Sequence, residues 1–232
     1  MRSKTVTETT TVNFRTRTGQ ARRARTRAKI LTTAFELFDQ RGVDQVTVED
    51  VREAAGLSRG SFYNYFLTYE HMLKELAAQI GRQLNLEQSE RYDGVANVAE
   101  RLWCYVCYGI ARAASDRSCS EILVRVTPLV GSLNDTMREH AERTLRLSAK
   151  RKLIDVPSAG VALDLGYGLV TMMLRRALTS GIEIKEVEAA GLMLLRAFRV
   201  PEIEARRISR LPPPVLPELQ LRTAVIDNFG TD

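Results

Sequence analysis

From Thr26 to Arg199 apolar residues recur every third or fourth position, and no stretch alternates apolar with polar residues long enough to argue for a strand. The chain is therefore expected to be all-α. The spacing predicts helices at 26–41, 48–55, 59–66 and 69–89. Further helices are expected at 95–114, 119–131, 133–152, 158–180 and 185–199. Their ends carry matching punctuation. Gly42 suits a left-handed helix end. Thr47 reads as an N-cap, with Glu49 and Asp50 in the first turn. Gly56 stops that helix, and Ser58 caps the next, with Leu57 and Phe62 at the two positions of a hydrophobic staple.

Helix, glycine-containing turn, helix over residues 47–66 is a helix-turn-helix pattern. Stepping 100° per residue along Arg59–Phe66 places Phe62 and Phe66 within 40° of each other, on the inward face. Gly60, Ser61, Tyr63 and Asn64 then point outward or sideways. That outward set suits a DNA groove. Gly60 permits close approach. Ser61, Tyr63 and Tyr65 offer hydroxyls to phosphate, and Arg59 and Asn64 can address base edges. Upstream, residues 1–29 hold nine basic side chains and one acid, a local net charge of +8 in a chain of +6. A basic arm of this kind suits a polyanion. Arg22, Arg23 and Arg25, at its end, are taken as DNA contacts.

At this point residues 26–84 resemble the TetR family of bacterial transcriptional regulators. The resemblance is carried by Ile30, Ala34, Leu37, Phe38 and Gly42, by Thr47-Val48-Glu49-Asp50-Val51, and by Ala54-Ala55-Gly56-Leu57-Ser58. It continues through Gly60, Phe62-Tyr63 and Tyr65-Phe66. It implies a three-helix DNA-binding head joined to a larger helical domain for ligand binding and dimerisation. Thr47, Val48 and Tyr69 join the expected DNA contacts. Two residues depart from the family pattern: Arg52 stands where alanine is frequent, and Tyr69 stands where a phosphate-binding lysine is frequent. The expected organisation is a disordered basic arm (1–22), the head (23–84), the ligand and dimer domain (85–200) and a Pro-rich tail (201–232).

Residues 161–174 are apolar on almost every side, interrupted only by Asp164 and Thr171, and residues 187–198 are similar. Such helices suit a homodimer, which would also present two reading heads to a palindromic double-stranded operator. Leu169 and Leu194 are taken as positions on the shared face. The family usually senses a small molecule. Trp103, Cys107, Tyr108, Arg125, Met137 and His140 are the candidate lining for an unidentified effector, although each is also a reasonable core or surface residue.

The three cysteines suggest no disulfide framework, and Cys104-x-x-Cys107 sits in an apolar helical pattern that predicts buried thiols. The first 25 residues lack an apolar segment, and the longest apolar runs are too short to span a bilayer, so a cytoplasmic protein without membrane contact is expected. Neither His71 nor His140 sits in a nucleophile or metal motif. The expected function is a ligand-released repressor, not an enzyme, with no cofactor or metal. The alternative is an architectural DNA-binding protein with little sequence preference.

Overall fold

The computed structural model describes residues 7–126, 135–212 and 215–229, without the side chains of 7–18, 135–137 and 140. Eleven α-helices follow one another among the described residues: α1 (Thr7–Arg41), α2 (Val48–Ala54), α3 (Arg59–Tyr63), α4 (Tyr69–Tyr92), α5 (Val98–Ala114), α6 (Arg117–Val126), α7 (Asp135–Lys150), α8 (Ala159–Ser180), α9 (Ile184–Ala197), α10 (Glu202–Ile208) and α11 (Leu221–Asp227). A single 3-10 turn, Val43–Gln45, separates α1 from α2. The chain is all-α, as the spacing predicts.

Several helices start where a side chain answers their first backbone N–H groups. Thr47 and Asp50 form a reciprocal capping box at α2. Ser58 accepts from the Ser61 N–H at α3, and Asn97 accepts from two N–H groups at α5. The turn between α2 and α3 needs Gly56, whose φ is +67°. There the Leu57 N–H reaches back to the Arg52 carbonyl at 2.9 Å and closes the helix end.

The described chain divides into two compact units. The first runs to Tyr69 and includes the residues from Ile226 onward; the second runs from Glu70 to Val225. The first unit has its own core of Ile30, Ala34, Phe35, Phe38, Val43, Val51, Ala55, Phe62 and Phe66, each 3% exposed or less. Phe229, beyond α11, stacks on Phe35 with ring centroids 6.3 Å apart.

In the second unit α5 packs on α8 and α9, and α8 also packs on α6 and α7. The α5–α9 approach is set by Gly191. A Cβ there would lie 2.7 Å from the Cys107 Sγ and 2.8 Å from the Trp103 ring. Gly191→Ala is expected to lower the thermal midpoint. The added methyl improves helix propensity by about 1 kcal/mol, but overpacking against two fully enclosed side chains costs about 1–3 kcal/mol. A variant that melted above the wild type would show that the helices are not this close.

Between α4 and α5 lies a buried polar cluster. The Glu87 carboxylate accepts from Tyr108 Oη (2.5 Å), Arg112 Nε (2.9 Å) and Nη2 (3.1 Å), and Gln83 Nε2 (2.9 Å). Burial acts to raise the Glu87 carboxyl, but hydrogen bonds from Arg112, Gln83 and Tyr108 outweigh it and hold the group below its ordinary range.

One helix is apolar and yet largely uncovered. α8 buries only Ala162 and Leu174 fully. Val161 (67%), Leu165 (49%) and Met172 (59%) are exposed in register, and Met193 of α9 is 67% exposed. Leu194 lies in the core of its own chain and Leu169 is half-buried. Neither is the outermost residue that the sequence pattern suggests. Periodicity marks apolar stripes but does not say which stripe a second molecule would take.

Three expectations are corrected. The expected disordered arm, 1–22, is helical from Thr7, continuous with the helix that carries Ile30 and Ala34. The expected tail, 201–232, contains α10 and α11, which bury Ala205, Ile208, Leu221, Ala224 and Val225. Two turns are too short to register as a period. The N-terminal segment of the first unit ends at Tyr69 rather than residue 84, since α4 from Glu70 onward belongs to the second unit.

Cys107 and Cys119 are buried and Cys104 is half-buried. Burial pushes the Cys104 thiol up to about 11. Among the described residues, no helix is long and apolar enough to cross a membrane.

Candidate nucleic-acid interface

The site grows from the α2–turn–α3 segment. Arg52, the unexpected basic residue of α2, braces the turn from inside. Its Nη1 donates to the Leu57 carbonyl at 3.1 Å, and its Nη2 bonds Glu49 at 2.6 Å and Glu53 at 3.0 Å. Its hydrogen bond is the main reason the Glu49 carboxyl sits below its ordinary range. Arg52 is therefore a structural residue of the motif.

α3 ends at Tyr63, three residues short of the expected Phe66. The facing survives, because the Tyr65 and Phe66 N–H groups both return to the Phe62 carbonyl, at 2.9 and 3.2 Å. Phe62 and Phe66 are fully buried, and Tyr63 is 40% exposed. Arg59, Gly60 and Asn64 are exposed, and Ser61 and Tyr65 are half-buried. A Cβ on Gly60 would meet nothing within 4 Å. Nothing in the chain itself calls for glycine there, and its bare backbone leaves room for something outside to come close.

Not every expected contact is available. Thr47 is occupied by its cap: its N–H and hydroxyl both donate to Asp50 Oδ2, at 2.8 and 2.5 Å. Its one hydroxyl proton is thus used. Tyr69 is engaged within the chain in the same way. Its hydroxyl donates to the Val43 carbonyl at 2.7 Å, and its ring meets Phe38 edge-on. Arg23 is exposed, but its guanidinium bonds the Asn64 carbonyl at 3.3 Å and lies over the Tyr65 ring at 5.9 Å. The Ser61 hydroxyl pairs with that of Ser58 at 2.8 Å, and Val48 is half-buried.

Arg22 and Arg25 are exposed on α1, and so is Lys29. The spacing 22, 25, 29 puts all three on one helix face. The place a Gly56 Cβ would occupy is 4.0 Å from Lys29 Nζ, so this basic face leads to the helix-turn-helix turn. Lys29 was missed as a site residue, although the i, i+7 spacing from Arg22 would have marked it.

Among the described residues, Trp103, Cys107, Tyr108 and Arg125 do not share one cavity. Trp103 and Cys107 close on Gly191. Tyr108 belongs to the Glu87 cluster, where burial and the carboxylate push its phenol up. Arg125 is exposed. The side chains of Met137 and His140 lie outside the described residues. A shallow groove of ≈ 350 Å³ runs along α7, and its described lining is Glu139, Arg143, Arg146, Leu147 and Lys150, without Trp103, Cys107, Tyr108 or Arg125.

Residues 30–76 match the family model described as bacterial regulatory proteins, tetR family. The chain is 34% identical to the HTH-type transcriptional repressor KstR2 of Mycobacterium tuberculosis (strain ATCC 25618 / H37Rv) over 76 residues, covering 33% of this chain and 38% of that protein. It is 27% identical to the HTH-type transcriptional regulator AcrR of Shigella flexneri over 129 residues, covering 53% and 59%. The chain thus spans less than two thirds of the length of these curated relatives. Among solved structures, RolR without ligand superposes with a TM-score of 0.66 at 20% identity, covering 82% of this chain and 100% of that one. RolR in complex with resorcinol gives 0.63 at 23%, covering 84% and 98%. FadR of Bacillus subtilis in complex with stearoyl-CoA gives 0.55 at 15%, covering 73% and 97%. Likeness at these identities speaks for the fold.

Proposed function

We propose that this chain, whose residues 30–76 match the family model of tetR-family bacterial regulatory proteins, is a transcriptional repressor of that family rather than an enzyme. It binds a palindromic operator as a homodimer and releases it when a small molecule occupies the larger helical unit. The observation that carries the DNA reading is the separation of faces at α3. Phe62 and Phe66 anchor the element, while Arg59, Gly60, Tyr63 and Asn64 stand outside, beside the basic face of Arg22, Arg25 and Lys29. An Asn at the centre of such a face can pair with an adenine edge, and the surrounding hydroxyls and cations take phosphate. The uncovered apolar face of α8 supports the dimer. The small-molecule part rests on the solved relatives that hold resorcinol and stearoyl-CoA.

Duplexes selected from a random library by the wild-type chain provide the test. Titrated against single-base variants of the selected site, Asn64→Ala is expected to relax preference at one position per half-site, by about 1–3 kcal/mol. Tyr63→Phe is expected to weaken all sequences alike, with an unchanged melting temperature. Equal loss on every variant for Asn64→Ala would make Asn64 a backbone contact. A chain that enriches no sequence yet binds every duplex would be the architectural protein instead.

A further inference from the structure

We propose that Arg23 is a positioning residue for the DNA-reading turn: held on α1, it fixes Asn64 and Tyr65 in place and does not contact phosphate. This rests on the DNA-binding reading of α3.

The basic residues of α1 divide by face. Arg23 and Arg27 fall on the same stripe as Ile30 and Ala34, both fully buried, at the spacing i, i+4, i+7, i+11. Arg22, Arg25 and Lys29 fall on the other side; Arg23 is exposed as they are, but it faces the segment after α3. The Arg23 guanidinium lies over the Tyr65 ring at 5.9 Å, and its Nη2 donates to the Asn64 carbonyl at 3.3 Å. One turn on, the Arg27 guanidinium lies over the Phe66 ring at 5.5 Å. The three residues that follow α3 are thus met in succession from α1.

They need this support. α3 has five residues, far too few to hold its shape alone. Asn64 is its C-cap, so the Asn64 carbonyl is one of the groups a helix end leaves without an intrahelical partner. Arg23 supplies that partner and covers the adjacent ring. The residue best placed to read a base is therefore oriented by a side chain forty-one positions earlier. Only arginine combines a planar face for the ring with forked N–H donors for the carbonyl. Lysine keeps the charge but has neither the plane nor the fork.

That difference separates the two roles. Arg23→Lys and Arg23→Ala are compared with wild type on a duplex selected by the wild-type chain and on a scrambled duplex of equal length, over a salt series. Helix content is checked by circular dichroism. In the expected result, Arg23→Lys lowers the ratio of selected to scrambled affinity by about fivefold or more. Arg23→Ala does the same, with the slope of log affinity against log salt at its wild-type value. Arg22→Ala, the control on the exposed face, lowers that slope by about 0.9, the value for one phosphate contact. Full wild-type selectivity in Arg23→Lys overturns the proposal, and so does an Arg23→Ala slope that falls like that of Arg22→Ala. If Arg23→Ala loses helix content, Arg23→Lys alone decides. A wild-type chain that enriches no duplex and binds none overturns the reading of the site, which is a different result from the loss of rescue.

Discussion

Phe62→Ala is expected to destabilise the DNA-binding head by about 3–5 kcal/mol, the range for a fully buried phenylalanine. Phe62 is 0% exposed and meets the Tyr63 ring at 5.7 Å and the Phe66 ring at 6.0 Å. It sits in the middle of a five-residue helix, so the ring holds α3 in place rather than decorating it. A core this small has few neighbours able to close a cavity of that size. Denaturant titration, followed by hydrogen exchange at the α2 and α3 amides, reads the loss. DNA affinity should fall with it on every sequence, unlike the base-selective effect at Asn64. A change below about 1 kcal/mol would place Phe62 outside the core.

Leu165→Asp is expected to dissociate the proposed dimer. Leu165 is 49% exposed on α8, between Val161 and Met172 on the same uncovered stripe. An aspartate there folds without difficulty in one chain but strands a carboxylate once two chains close. Burying an unpaired charge costs about 3–5 kcal/mol, roughly 10²–10⁴-fold in dimer affinity. Sedimentation at micromolar concentration should then show a folded monomer with the wild-type helix content. Leu194→Asp should behave differently. Leu194 is 5% exposed within its own chain, so the charge should unfold the second unit rather than separate two copies. A wild-type chain that sediments as a folded monomer at the same concentration would refute the dimer.

The head was readable because each of its signals is local. Thr47, Gly56 and Ser58 act on their immediate neighbours, and the facing of Phe62 and Phe66 follows from a 100° step. Partners distant in sequence are of a different kind. Thr47, Arg23 and Tyr69 were expected to reach outward, yet Thr47 and Tyr69 donate their hydroxyls to Asp50 and the Val43 carbonyl, and Arg23 gives one N–H to the Asn64 carbonyl. A sequence shows that a donor exists but not which acceptor folding brings to it. For the last two, that acceptor lies far along the chain. Trp103 and Cys107 illustrate the same limit for packing. Their helical spacing suits a pocket or a core equally well, and the choice is made by Gly191, more than eighty residues away. The extension of α1 back to Thr7 escaped notice because its first residues, TETTTVNFRTRT, are rich in Thr, a poor helix former, and show no apolar period.

The stack of Phe229 on Phe35 has a consequence for synthesis. α1, α2 and α3 leave the ribosome first, and domains generally fold as they emerge. Yet the ring that completes the packing on Phe35 is translated almost the whole length of the chain later. During that interval the head must persist with Phe35 short of a partner, while the entire second unit is made and closes the loop between them. A gene fragment that stops after the helix-turn-helix would stay in that unfinished condition permanently.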